Sequence, residues 1–417
     1  MKILWITNIL FPEVSQLLQN ELELKSSGGW MLGSAEELVK NDEIKLTVAT
    51  PTPLVDDLRH VDGEKISYYL FPLGKGNIKY NKEYEKYWKE INKRVSPNVV
   101  HIHGTEFSHG LAYVNACGAR NVVVSIQGLV SACCYYYYYG ISVFDIIKNI
   151  TIRDLLRATI FQEKKSFRKR GELEIDLLRK VNHVIGRTTW DKARSWEINP
   201  EIKYHFCNEI LRSEFYDESE WKYETCHKHS IFLSQAGYPI KGLHQVLKAM
   251  PLIIRKFPDT TVRIAGINIT EKKKFKGVIP YISGYGQLIK NLIYSLKLED
   301  RVCFVGNLNA ETMKQEYLRS NVFVCPSSIE NSPNSLGEAQ ILGVPCVCSY
   351  AGGIPNMMKG YENHLYRFEE TAMLAMKICN IFNMKSEVND MRGIAKERHD
   401  RLHNTEQLLH IYKELSI

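Results

Sequence analysis

The 417-residue chain lacks several things, and each absence narrows its class. No run of 18 apolar residues occurs, so a membrane-spanning helix is not expected. No secretory leader is read either. Met1-Lys2-Ile3-Leu4-Trp5-Ile6 runs straight into Thr7-Asn8 and has the form of a first strand. The ten cysteines are scattered, and neither Cys133-Cys134 nor Cys346-x-Cys348 has metal-ligand spacing. Reduced core thiols in a cytoplasmic protein are expected, with no metal site. There is no internal repeat, no Gly-x-Gly-x-x-Gly dinucleotide fingerprint and no Asp-x-Asp metal pair. Basic residues are not interleaved with a nucleic-acid-reading pattern, so no nucleic-acid partner is expected. The net charge of +7 is mild and suits phosphate-rich ligands or an anionic membrane face.

What is present is alternation of short apolar strands with helical stretches, the mark of doubly wound parallel sheets. In the first half the expected strands are Lys2–Ile6, Lys45–Ala49, Ser67–Leu70, Val99–Ile102, Val122–Ile126 and His183–Ile185. In the second half they are Ser230–Leu233, Thr261–Ala265, Val302–Phe304, Val322–Cys325 and Pro345–Ser349, with helices over Leu243–Lys256 and Tyr285–Leu296. Two such sets in 417 residues imply two Rossmann-like α/β domains. The boundary is expected in the polar stretch Asn208–Lys228.

The most informative stretch is Glu330-Asn331-Ser332-Pro333-Asn334-Ser335-Leu336-Gly337-Glu338. An apolar strand precedes it, and a short helix stopped by Gly343 follows. Ser332 is a suitable N-cap and Pro333 a suitable first helical residue. The amides of Asn334, Ser335 and Leu336 would then face a ligand past the carboxyl end of a strand, where α/β sheets bind ligands and the helix dipole favours an anion. Two carboxylates flanking a phosphate seat suit hydroxyls, which donate to them. A nucleotide sugar, a diphosphate between two polyols, matches that arrangement.

This stretch resembles the Glu-seven residues-Glu motif of retaining GT-B glycosyltransferases, glycosyltransferase family 4 or group 1. The resemblance implies a donor-sugar role for Glu330 and a nucleotide-ribose role for Glu338, with Asn331, Ser332, Asn334, Ser335 and Leu336 at the donor. Other segments match the same family. Lys241, in Lys241-Gly242, takes the place of a cation on the donor diphosphate. At the place of the family's arginine stands Gln235, which carries no charge. Gly306, in Val305-Gly306-Asn307, lies in the loop at the nucleobase. Ser26-Ser27-Gly28-Gly29 matches the family's Gly-Gly loop at the donor phosphates, so Gly28 and Gly29 are donor candidates.

Val99–Glu106 resembles the family's His-x-His segment. Alternation puts His101 and His103 on one face. His101 is expected in the core, and His103 is the catalytic candidate. Gln127 stands where the family has a histidine that touches the donor sugar. Glutamine does not titrate near neutrality, so it is no acid or base. In the front-face mechanism attributed to this family the leaving phosphate takes the acceptor's proton. Arg187, after the strand His183–Ile185, is a candidate for the charge that Gln235 lacks.

The resemblance implies an N-terminal acceptor-side domain over 1–210, a donor-side domain over 211–390, and a C-terminal helix over 391–417 crossing back to the first. The two domains of a GT-B fold face each other across a cleft. The implied function is metal-independent retaining transfer of a hexose-type sugar, with no cofactor, from a nucleotide diphospho-sugar to a glycan or lipid-linked glycan. The setting is bacterial capsule, O-antigen or exopolysaccharide synthesis. Two further stretches, the tyrosine pentad Tyr135–Tyr139 and the basic amphipathic region Arg153–Lys180, suggest peripheral contact with anionic lipid at the inner membrane face. Gln127 and Gln235 keep a sugar-nucleotide-binding protein without transferase activity open, and a GT-B epimerase is a further alternative.

Overall fold

The computed structural model describes residues 1–18, 29–74, 79–275, 279–384 and 391–416, so the candidate Gly28 lies outside the described residues. The chain divides into two compact units. The first comprises Met1–Ala132, Ser166–Arg212 and Arg398–Ile417; the second comprises Cys133–Lys165 and Ser213–Glu397.

The first unit is built on eight strands. They are β1 (Lys2–Ile6), β2 (Lys45–Thr52), β3 (Arg59–Asp62), β4 (Ile66–Pro72), β5 (Val99–His103), β6 (Val122–Ser125), β7 (His183–Gly186) and β8 (Lys203–Phe206). Their order is β3-β4-β2-β1-β5-β6-β7-β8, all parallel except the edge pair β3–β4. Alternation sends Leu4 and Ile6 to one core and Ile3 and Trp5 to the other. A sheet covered on both faces needs apolar side chains at every position of its central strands. That is why β1 reads as an apolar run from Ile3 to Ile6. The helix Arg401–Leu415 adds Leu408, Ile411, Tyr412 and Leu415 to the Trp5 side. Full burial of each such side chain contributes about 1.5–3 kcal/mol.

The second unit carries β9 (His227–Leu233), β10 (Thr261–Ala265), β13 (Val302–Gly306), β14 (Ser320–Cys325), β15 (Cys346–Ser349) and β16 (Leu365–Tyr366). Their order is β13-β10-β9-β14-β15-β16, entirely parallel. A separate hairpin pairs β11 (Lys273–Phe275) with β12 (Ile279–Tyr281). Both large sheets reverse winding direction once. The reversal lies between β1 and β5 in the first unit and between β9 and β14 in the second. At such a switch point the loops leaving neighbouring strands diverge and open a crevice at the carboxyl ends.

The structure corrects the sequence reading in four places. The strands β3, β8, β11, β12 and β16 are not among those the sequence predicts. They are short edge or terminal strands whose patterns differ little from loop. The segment Cys133–Lys165 does not belong with the first domain. Ser328 donates to the Tyr136 carbonyl (2.9 Å), Thr151 to the Ile282 carbonyl (2.7 Å), and the Gly284 amide to Asp154 (3.1 Å), which fastens it to the second unit. The region Arg153–Lys180 is two helices, Ile152–Leu156 and Ile160–Lys180, the first started by a Thr151–Asp154 capping box. The chain's last segment is likewise split, into Met391–Arg398 and Arg401–Leu415, with Asp400 capping the second through the His403 amide (2.7 Å).

Candidate functional site

In the second unit Lys241 follows β9 and Glu330 follows β14, the two strands of the switch point. Lys241 Nζ and Glu330 Oε1 form an ion pair, and both side chains are largely buried. Ser327 Oγ also donates to Glu330 Oε1 (2.9 Å). Burial pulls the Lys241 ammonium down, but the Glu330 carboxylate more than offsets this and holds it above its ordinary value. The Tyr238 phenol beside Lys241 is raised by its own burial.

Two glycines shape the loops that carry this pair. Gly242 is left-handed (φ 71°), and a Cβ there would stand 1.8 Å from the Pro326 carbonyl oxygen. Gly352 is also left-handed (φ 54°), and its Cβ would stand 1.9 Å from the Glu330 carbonyl oxygen. The backbone is tied at the same places, by Ser328 N to the Ile240 carbonyl (2.8 Å) and Gly353 N to the Glu330 carbonyl (2.9 Å). The paired glycines 352 and 353 therefore position Glu330.

The helix after Glu330 runs Asn334–Ile341, one residue later than expected. Pro333 is extended (ψ 119°) and occupies the cap position without a side-chain cap bond. Ser332 does not cap. It is buried, and its hydroxyl contacts Met357 Sδ at 3.6 Å. The amide of Leu336 is not directed outward either, since it donates to the Pro333 carbonyl (2.9 Å). Asn331 and Glu338 are buried, and the Tyr317 hydroxyl lies 3.5 Å from Glu338 Oε2 and donates to the Ser335 carbonyl (2.9 Å). Gly306 ends β13 with φ 80°, and its carbonyl accepts from the Gly266 amide (2.7 Å). Gln235 is exposed on the loop after β9.

In the first unit the rings of His101 and His103 stack with centroids 3.8 Å apart, as their shared strand face requires. His101 bridges Tyr412 Oη (2.5 Å) and Ser125 Oγ (2.6 Å), and burial pushes it down to about 3. His103 is also buried, and desolvation holds it well below the usual histidine range, so both rings are neutral at pH 7. His103 cannot serve as a charged acid there. His103, Ser34, Arg187, Asn208 and Glu209 line a small cavity of about 40 Å³. Arg187 is buried, ion-paired to Glu209, and donates to the Ile126 (2.7 Å) and Gln127 (3.3 Å) carbonyls. Its charge is neutralised inside its own unit. Gly29 opens the helix Gly29–Leu38.

Gln127 sits at the end of β6 with Nε2 buried and unpartnered. Its Cγ lies 3.7 Å, and Glu106 Oε2 3.0 Å, from where a Cβ on Gly104 would be. Gly104 itself is left-handed (φ 90°) and ends β5, beside the switch point of this sheet. Burial raises the Glu106 carboxyl. Sequence reasoning missed Glu106, although it lies just past Gly104 and Thr105 at the end of the His-x-His strand. It also missed Glu174, which accepts from Thr105 Oγ1, Ser131 N (2.9 Å), Ser131 Oγ (2.5 Å) and Val130 N (3.2 Å). Burial pushes Glu174 up to about 7. It stands on a long helix with no motif around it, so no signal existed.

The tyrosine pentad precedes the helix Val143–Lys148. Tyr137 is buried and donates to Glu163 (2.9 Å), and Tyr136 and Tyr139 meet edge-on at 6.1 Å. All ten cysteines are free thiols. Among the described residues one cluster has metal-ligand types, His183, His205 and Glu414. There Lys203 already holds the Glu414 carboxylate.

Residues 218–398 match the family model for glycosyl transferases group 1. That segment contains β9 to β16 and the Lys241–Glu330 pair. An uncharacterized glycosyltransferase of Methanocaldococcus jannaschii is 27% identical over 139 residues, which is 33% of this chain and 31% of that one. The chain matches about a third of the length of its curated relatives. The fold likeness is more extensive. Sucrose-phosphate synthase from Thermosynechococcus elongatus superposes with a TM-score of 0.70 at 16% identity, covering 100% of this chain and 99% of that one. A trehalose-6-phosphate structure from E. coli, bound with UDP-2-fluoro glucose, superposes with a TM-score of 0.60 at 9% identity, covering 100% and 99%. Two Rossmann-like sheets with these neighbours are a GT-B fold, and residues 218–398 of the chain are similar to the group 1 glycosyltransferases.

Proposed function

We propose that the protein transfers a hexose-type sugar from a nucleotide diphospho-sugar to a hydroxyl of a glycan or lipid-linked glycan, with retention and without metal or cofactor. The observation that carries this reading is the Lys241–Glu330 pair at the β9/β14 switch point of the group 1 segment. One cation and one carboxylate, side by side, match the two halves of a sugar diphosphate. The donor's phosphate is a better partner for the ammonium than a carboxylate already bonded to Ser327. Donor binding thus shifts Lys241 toward phosphate and leaves Glu330 to accept from the sugar's hydroxyls. Glu338, buried beside Tyr317, takes the ribose.

In the reaction the bond between the sugar's anomeric carbon and the phosphate oxygen breaks. The acceptor oxygen bonds the same face of that carbon, and its proton passes to the leaving phosphate. Gln127 and neutral His103 transfer no proton in this scheme. They orient hydroxyls, and catalysis comes from position and electrostatics. The E. coli neighbour's complex with UDP-2-fluoro glucose supports a uridine or related donor. The setting is bacterial surface-polysaccharide synthesis at the cytoplasmic face, where the acceptor is met by peripheral contact with anionic membrane.

Thermal shift of the full chain against nucleoside diphosphates and their sugars tests the binding half, because a ligand of the native state raises stability by mass action. Turnover of the donor that binds, with the product's anomeric configuration read by NMR and repeated in chelator, tests the rest. Binding without transfer to any acceptor and without hydrolysis would favour a sugar-nucleotide-binding protein, as Gln127 and Gln235 allow. Loss of turnover in chelator would overturn metal independence.

A further inference from the structure

Two short helices of the second unit, Val143–Lys148 and Ile152–Leu156, are turned apolar side out. Val143, Phe144, Ile147, Ile150, Ile152, Leu155 and Leu156 are between 36% and 75% exposed. Their inward side is largely polar. Asn149 and Asp154 are buried, Asn291 donates to Asn149 (2.8 Å), Thr151 to the Ile282 carbonyl (2.7 Å) and the Gly284 amide to Asp154 (3.1 Å). The presentation is therefore built in by bonds to the helix Gly284–Ser295 and the residues before it, rather than left by a loose loop. Scattered apolar residues on a surface are ordinary. Seven exposed ones within residues 143–156 mark a binding face.

Charge and aromatic content identify the occupant. Among residues 133–165 the cations are Lys148, Arg153, Arg157, Lys164 and Lys165, and the acids Asp145, Asp154 and Glu163, five against three. Arg153 and the buried Asp154 pair with each other. Lys148, Arg157 and Lys165 are exposed, while Asp145 and Glu163 are half-buried. Tyr135 and Tyr139, also exposed, precede the first helix in the chain. Apolar side chains with lysine, arginine and tyrosine beside them are the composition of an interfacial helix on anionic lipid. Helices of six and five residues reach only the headgroup boundary, since spanning needs about 20 residues.

We propose that residues 143–156 form a membrane-docking surface that inserts its apolar side chains into the interfacial zone of an anionic bilayer. The surface shares Arg153–Leu156 with the basic region that the sequence singled out, adds the apolar residues before it, and does not depend on the donor site. Co-sedimentation of the full chain with phosphatidylcholine vesicles, alone or containing phosphatidylglycerol, tests it at low and high salt. The chain should bind the anionic vesicles, less so at high salt. The combined variant Phe144→Ser, Leu155→Ser and Leu156→Ser should partition about tenfold less. These side chains are exposed, so thermal stability and nucleotide binding should be unchanged, which separates this result from a failure of the donor site. No binding by the parent chain, equal binding to neutral vesicles, or binding by the variant at the parent's level would each overturn the proposal. So would a concentration-dependent dimer in the parent that the variant abolishes, since the surface would then be covered by a second copy.

Discussion

Lys241 and Glu330, 89 positions apart in the chain, meet as a largely buried ion pair at the carboxyl ends of neighbouring strands β9 and β14. Removing one partner leaves the other charge buried and unpaired, a cost of about 3–5 kcal/mol. Lys241→Met should therefore lower the urea midpoint markedly and also weaken nucleoside diphosphate binding. Glu330→Gln keeps the shape and a hydrogen-bonding group. It should lower turnover more than it lowers affinity for the bare nucleoside diphosphate, because its substrate partner is the sugar. Equal losses for nucleotide and nucleotide sugar would remove Glu330 from the sugar role.

Glu338→Ala should weaken nucleoside diphosphate binding by about 1–3 kcal/mol, the loss of a buried hydroxyl partner. Titration calorimetry measures this directly. Unchanged affinity would place Glu338 in the structural company of Tyr317 alone.

Gly352→Ala should destabilise the chain by more than the roughly 1–2 kcal/mol of a left-handed backbone, since its Cβ would press on the Glu330 carbonyl. Gly237→Ala is the control, because nothing lies within 4 Å of its Cβ position and its φ is not left-handed. Denaturation midpoints of the two variants should differ clearly, and equal midpoints would mean the loop yields freely.

Arg187 already neutralises Glu209, so Arg187→Met should act first on stability, through the carboxylate it leaves unpaired. Gln235→Arg adds a cation at an exposed position beside the donor loop. It should tighten diphosphate binding without changing the melting temperature by more than a degree or two, about what a surface substitution within 0.5 kcal/mol gives. A tighter binder would show that the second cation is missing in the native chain. No gain would mean the diphosphate does not pass Gln235.

Glu174 is raised to about 7 from an ordinary 4.5, with burial the leading cause. A carboxyl with a raised folded value binds its proton more tightly in the native state. Its contribution is full below pH 4.5 and is lost as pH rises through 7. The difference corresponds to about 3 kcal/mol at most. Glu174→Gln should flatten the fall in stability between pH 5 and pH 8, measured by urea unfolding across that range. An unchanged slope would assign the pH dependence to other groups.

The sequence by itself determined the fold class. The central strands β1, β5, β9, β10 and β14 each carry a buried apolar segment because both faces of each sheet are covered, and these segments stand out against the charged helices between them. It also determined the chemistry of Lys241 and Glu330, because a cation before a helix and a carboxylate after a buried strand are local patterns. Other features were set by contacts distant in the chain. The pairing of Lys241 with Glu330 follows from strand order, which no local pattern encodes. The transfer of Cys133–Lys165 to the second unit rests on bonds from Tyr136, Thr151 and Asp154 to residues more than 100 positions away. The same bonds decided which side of the helices Val143–Lys148 and Ile152–Leu156 faces outward. Hydrophobic periodicity reports that a helix has two faces. Only the partners it meets decide which one is buried, and here buried hydrogen bonds outweighed the usual preference for apolar burial.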